Sequence, residues 1–163
     1  MIYCLDTNVL IEPWNKYYSP DLCPDYWEVL TELVSEGKIF CTDEVKREVL
    51  KVDDGLSDWI KTHPEFVREI DDDVQVKLRT VLQKFPRLVD TKKDRSMADP
   101  WVVAHAWSAG ATVVTKEMPS NSVTRIKIPD VCQVFKVRCI DDFSFLKEVG
   151  ISFNVKQNSR GGT

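Results

Sequence analysis

Short apolar runs alternate with amphipathic stretches along the chain. Residues 2–6 form a β-rich run that ends in Asp6, and Val9, Leu10 and Ile11 suit a first helix over Asn8–Trp14, stopped near Pro13. After a polar connection, Pro24 is placed for a first helical turn, and Tyr26, Trp27, Leu30, Leu33 and Val34 recur at helical spacing until Gly37 offers a C-cap. Lys38–Cys41 reads as a second strand, and Thr42 caps a helix that carries Glu48. Two charged helices are expected between Asp53 and Pro86, broken at Asp53-Asp54-Gly55 and His63-Pro64. Ala98–Ala109 is a helix closed by Gly110, Ala111–Thr115 a β-branched third strand, and 116–128 a loop. Pro129–Phe135 reads as a short helix, Lys136–Ile140 as a fourth strand and Asp141–Val149 as a last helix.

Strands that alternate with helices need crossover connections, and these bring the strands parallel and cover both sheet faces. The expected architecture is therefore three-layer α/β/α, with a central parallel sheet of four to five short strands. Residues 1–150 make one domain, and 151–163 read as a mobile C-terminal tail.

Composition narrows the class. The chain has 163 residues, 43% hydrophobic and 29% charged, which suits a globular domain with its own core. No apolar run is long enough to span a bilayer and no signal-peptide pattern opens the chain, so a cytoplasmic protein without a membrane partner is expected. Five widely spaced cysteines without a C-x-x-C pair read as reduced thiols rather than a zinc site. A net charge of −4 argues against coating nucleic acid by bulk electrostatics, but it is compatible with an acidic pocket neutralised by cations.

In an open parallel sheet, ligands bind outside the carboxyl ends of the strands. Asp6 ends the first strand and Glu117 follows the third by two residues, so both belong to that edge. Glu48 lies beside the Val45/Val49/Val52 seam of its helix, with Glu44 further round. Asp99 leads the Val102/Val103/Ala106 face, where two readings stand: an inward acid, or a cap beside Pro100. The run Asp71-Asp72-Asp73 is read only as a solvated helix start.

Leu5-Asp6-Thr7-Asn8, Thr42 with Glu48, Ala98-Asp99-Pro100 with Ala104 and Ala106, and Val113-Val114-Thr115-Lys116-Glu117 together resemble the PIN-domain family. These are compact α/β nucleases that include toxin components of type II toxin-antitoxin systems. The resemblance spans Met1 to about Gly150 and implies a metal-dependent endoribonuclease. The family's acids fall on Asp6, Glu48, Asp99 and Glu117, the last a glutamate where the family usually has Asp or Asn. Mg²⁺ or Mn²⁺ is the implied cofactor, because such ions take oxygen ligands and generate a nucleophile from water at neutral pH. The implied partners are an RNA substrate and an antitoxin protein, and exposed aromatics would also suit a homodimer.

Thr7, Asn8 and Thr115 are candidates to orient the acids, or else turn and cap residues. Lys92, Lys93, Arg95 and Lys116 are candidates for RNA backbone contacts, as are Arg125 and Lys127, against the reading of a solvated loop. His105, opposite Asp99 on its helix, is read as structural or surface. Trp14, Tyr17, Tyr18 and Trp27 either stack bases or fill a core. Two other functions compete. A haloacid dehalogenase-like phosphatase also begins on a strand-end Asp but wants a second one where this chain has Asn8. A catalytically weak PIN-like binding module is the third reading, suggested by Glu117.

Overall fold

The computed structural model describes residues 1–88 and 99–157. A five-stranded sheet forms from β1 (Tyr3–Leu5), β2 (Ile39–Thr42), β3 (Val67–Arg68), β4 (Thr112–Val114) and β5 (Cys139–Ile140), in the order β3-β2-β1-β4-β5 with every pairing parallel. The helices are α1 (Thr7–Glu12), α2 (Pro24–Ser35), α3 (Asp43–Val49), α4 (Gly55–Thr62), α5 (Asp72–Lys84), α6 (Asp99–Ala109), α7 (Ile128–Phe135) and α8 (Asp142–Glu148). This is the three-layer α/β/α sandwich that the alternating pattern predicts.

Side chains that alternate along β1 tie the layers together. Cys4 turns to α6, where its thiol donates to the Val102 carbonyl at 3.8 Å. Tyr3 turns to the other face and meets Phe145 of α8 edge-on at 5.1 Å. Cys4, Leu5, Val113 and Val114 are fully buried, so the middle of the sheet is covered on both sides. All five cysteines are free thiols.

The differences from the sequence reading are local and have physical causes. The chain does not leave the helical path at Pro13; Pro13–Tyr17 form a wide turn closed by Tyr18 N–H to the Pro13 carbonyl at 2.9 Å. That turn presents Trp14 to Trp27 with ring centroids 4.6 Å apart. Gly55 is fixed by the same packing, since a Cβ there would lie 2.8 Å from the Trp14 ring. The last strand begins at Cys139, not Lys136, because Lys136 takes a left-handed conformation (φ 56°) that ends α7. β3 is only two residues long, too short for any hydrophobic period, and it forms by pairing with Cys41 and Thr42. Val52 is exposed rather than part of the α3 seam. The start of the segment read as a tail packs on the domain: Ile151 N–H donates to the Leu146 carbonyl at 2.9 Å, and the Phe153 ring stacks on Tyr18 at 4.6 Å.

Candidate active site

The chain runs outward from β1 to β2 and β3 and then crosses back to β4 on the other side of β1, so the switch point lies between β1 and β4. Leu5 pairs with Val114, so the residues that leave these strands, Asp6 and Thr115, emerge side by side at the carboxyl edge. Asp6 N–H donates to the Val114 carbonyl at 3.0 Å. Its carboxylate accepts Thr7 N–H at 2.8 Å, which caps α1, and the Thr115 hydroxyl at 2.8 Å. Asp6 is only 4% exposed. Burial above all, with the charges of Glu117 and Glu48 in addition, pushes its carboxyl up to about 6, against the lowering effect of the Thr115 and Thr7 donors.

One cleft of about 660 Å³ is lined by Asp6, Thr7, Asn8, Glu48, Asp99 and Glu117, together with Ile11 and Glu12. Four segments distant in sequence thus bring their acids to one opening. Glu48 comes from α3, which Thr42 starts by accepting Val45 N–H at 3.2 Å. Its carboxylate accepts the hydroxyl proton of Thr7. Glu48, not Glu44, is the α3 acid that lines the cleft. Asp99 opens α6 and reaches the same cleft; the residues before it, which the capping alternative also needs, lie outside the described residues. Asn8 is held across the edge, accepting Lys116 N–H at 3.0 Å and donating to Thr115 Oγ1 at 3.4 Å.

Glu117 lines the cleft wall, but its carboxylate is turned to the start of α7. It accepts Ile128 N–H at 2.9 Å and lies 3.4 Å from the Lys127 ammonium. The extra methylene that separates it from an aspartate gives it this reach. Asp130, one turn into α7, accepts the Ser120 hydroxyl at 2.7 Å and Lys127 N–H at 2.9 Å, which folds the loop back on the helix.

Lys116 is not a free phosphate contact. Its ammonium lies 2.7 Å from Asp142 and 3.5 Å from Glu12, and the side chain is only 18% exposed. Partial burial works to lower its pKa, but the Asp142 and Glu12 carboxylates outweigh that and hold it above the usual lysine value. Lys127 is likewise engaged with Glu117. Lys92, Lys93 and Arg95 lie outside the described residues. His105 is fully buried, which removes the surface reading; neither ring nitrogen has a hydrogen-bond partner among the described residues, and burial first, then the charge of Arg68, pushes it down to about 4.

The sequence reading missed Glu12 and Asp142. Glu12 lies four residues after Asn8, one helical turn along the same face, and that spacing was the available signal. Asp142 had none, because its contact with Lys116 is made only when α8 docks.

The donor set is entirely oxygen, which suits Mg²⁺ or Mn²⁺ and not a thiolate-seeking ion. As the side chains stand, no three carboxylate, imidazole or thiol groups among the described residues converge tightly enough to enclose a metal. Glu48 is drawn to Thr7 and Glu117 to Ile128. Asp6 is buried at the base of a cleft that Glu48, Asp99 and Glu117 also line, so the residues present fit a hard cation.

A family model described as a domain of unknown function (DUF4411) matches residues 3–153. No curated protein matches the sequence. Among solved structures, VapBC2 from Rickettsia felis, bound to a DNA fragment from the promoter, shares 19% identity over 86% of this chain and 98% of that one, with a TM-score of 0.50. VapBC-1 from nontypeable Haemophilus influenzae shares 17% identity over the same fractions, with a TM-score of 0.51. At these identities the likeness is one of fold, and it agrees with the PIN-like architecture. No described helix is long and apolar enough to cross a membrane.

Proposed function

The chain belongs to the DUF4411 family, and we propose that it is a divalent-metal-dependent endoribonuclease. One observation carries the reading: Asp6, Glu48, Asp99 and Glu117, far apart in sequence, line a single cleft at the carboxyl edge of the sheet. The PIN-like fold supports a nuclease-type hydrolase in general, and the oxygen-only donor set supports Mg²⁺ or Mn²⁺ as the cofactor.

Asp6, Glu48 and Asp99 would hold the cation, with Glu117 joining if it turns from Ile128. When bound, such an ion supplies positive charge for the phosphoryl oxygens and eases deprotonation of water in the cleft. The chain's own residues set up that chemistry. Thr7 N–H and the Thr115 hydroxyl fix both Asp6 oxygens, so that acid needs no rearrangement to receive charge. Thr7 uses its hydroxyl to orient Glu48, and Asn8 ties the turn after β4 to the first turn of α1. Burial of Asp6 keeps water from screening it, which strengthens its hold on a cation.

The phosphatase reading loses its support at Asn8. That side chain is a spacer between Lys116 and Thr115, and it has no acid to offer a leaving group. A binding module without activity draws support only from the turned carboxylate of Glu117. By likeness to the VapBC structures, the protein acts as the toxin half of a toxin-antitoxin pair, and its partner is an antitoxin. Metal-stimulated cleavage of RNA that Asp6→Asn removes, and that a chelator stops, tests the reading.

A further inference from the structure

Of the aromatic side chains in the connection after α1, most are used inside the fold. Trp14 packs on Trp27, and Tyr18 packs on Tyr26 and Phe153. Tyr17 is the exception, at 51% exposed. Phe143 of α8 is also exposed, at 60%.

The two rings share one cation. The Lys116 ammonium lies 5.1 Å from the Tyr17 ring centre and 5.9 Å from that of Phe143. The same ammonium lies 3.5 Å from Glu12, and Glu12 lines the acidic cleft. Lys116 thus links both rings to Glu12 on the cleft wall, although neither ring lines the cleft itself. Because Lys116 is already balanced by Asp142 and Glu12, this spot does not hold that ammonium free to seize a phosphate. It has flat π faces and an adjacent ammonium, which suit a neutral planar ring.

We propose that Tyr17 and Phe143 form a nucleobase-stacking subsite beside the cleft, which holds an unpaired base of a single-stranded RNA near the phosphodiester to be cut. The inference rests on the ribonuclease reading for its substrate class and adds the requirement that the bases be splayed. A base inside a duplex keeps both faces stacked on its neighbours, whereas a single strand offers its bases to protein rings. Stacking also tolerates sequence, because every base has a π face. The subsite thus positions the strand and leaves sequence choice to other contacts.

The experiment measures binding with a chelator present, which separates it from turnover. Three probes of equal length are used: a single-stranded RNA, the same sugar-phosphate strand without bases, and an RNA duplex. The wild-type chain is expected to prefer the base-bearing single strand. Tyr17→Ala combined with Phe143→Ala should weaken that binding about 5- to 150-fold, the range that stacking of one base provides. Affinity for the base-free strand should not change, and Tyr17→Phe with Phe143→Tyr should restore stacking. Both positions are exposed, so the fold survives substitution. Equal binding of the base-bearing and base-free strands, or an unchanged affinity in the alanine variant, would overturn the subsite and favour a protein partner for these rings. Cleavage with Mg²⁺ is scored separately: a chain that cuts RNA without base-dependent binding loses the subsite alone, and one that binds bases without cutting loses the nuclease reading alone.

Discussion

Thr115 donates its hydroxyl proton to Asp6 at 2.8 Å across the switch point of the sheet, and its oxygen in turn accepts Glu117 N–H at 3.1 Å. One hydroxyl thereby fixes the first acid and the turn that carries the last.

Thr115→Val keeps the buried shape but removes that donor. The Thr115 hydroxyl is one of the groups that lower the Asp6 pKa, so its loss should raise that pKa above about 6. Cleavage at neutral pH should fall about tenfold, a typical effect of removing a group that orients a ligand. The acid limb of the pH profile should move upward, which a purely structural role would not produce.

Glu117 should matter more to the helix it caps than to the cation. Glu117→Ala leaves Ile128 N–H without its partner and should cost about 1 to 2 kcal/mol of stability. Glu117→Gln retains an acceptor and should cost less. Hydrogen exchange at the first turn of α7, compared between the two variants, checks this.

Lys116 and Asp142 form a largely covered ion pair, with side chains 18% and 11% exposed. Lys116→Met should destabilise by about 2 kcal/mol, because it leaves a carboxylate in a poorly hydrated place without its counter-charge. Adding Asp142→Asn should recover part of the loss. Denaturant titrations of the two single variants and the double variant measure the coupling directly.

Two buried groups act in opposite directions between pH 4 and pH 6.5. Asp6 is raised from 3.8 to about 6 in the fold, so the native state binds an extra proton in that window, and metal-free stability falls as pH rises through it. His105 is lowered from 6.5 to about 4, so the unfolded chain binds the extra proton, and stability falls as pH drops. Asp6→Asn should therefore stabilise the metal-free protein above pH 6 with little gain near pH 4. His105→Leu should do the reverse, stabilising near pH 4 to 5. Denaturation midpoints across this range should show the two differences crossing.

Much of this was legible in the sequence because it rests on periodicity. The alternation of strands and helices encodes the layers, and helical phase alone marks Glu48 and Asp99. Strand ends nominated Asp6 and Glu117. What periodicity does not encode is contact between distant elements. The turn of Glu117 toward α7, the capture of Lys116 by Asp142 and the exposure of Phe143 beside Tyr17 all depend on how α7 and α8 dock. β3 was invisible for the same reason, since two residues become a strand only through their neighbour.

That the acids gathered around Asp6 cut RNA with a divalent cation is tested most directly by cleavage of a single-stranded RNA with Mg²⁺ or Mn²⁺ by the wild-type chain and by Asp6→Asn, each with and without a chelator. Cleavage by the wild type should be stimulated by the metal, stopped by the chelator and reduced more than about 100-fold in Asp6→Asn, since loss of a ligand should exceed loss of a group that merely orients one. Cleavage that persists equally in Asp6→Asn, or that ignores the chelator, would contradict this chemistry.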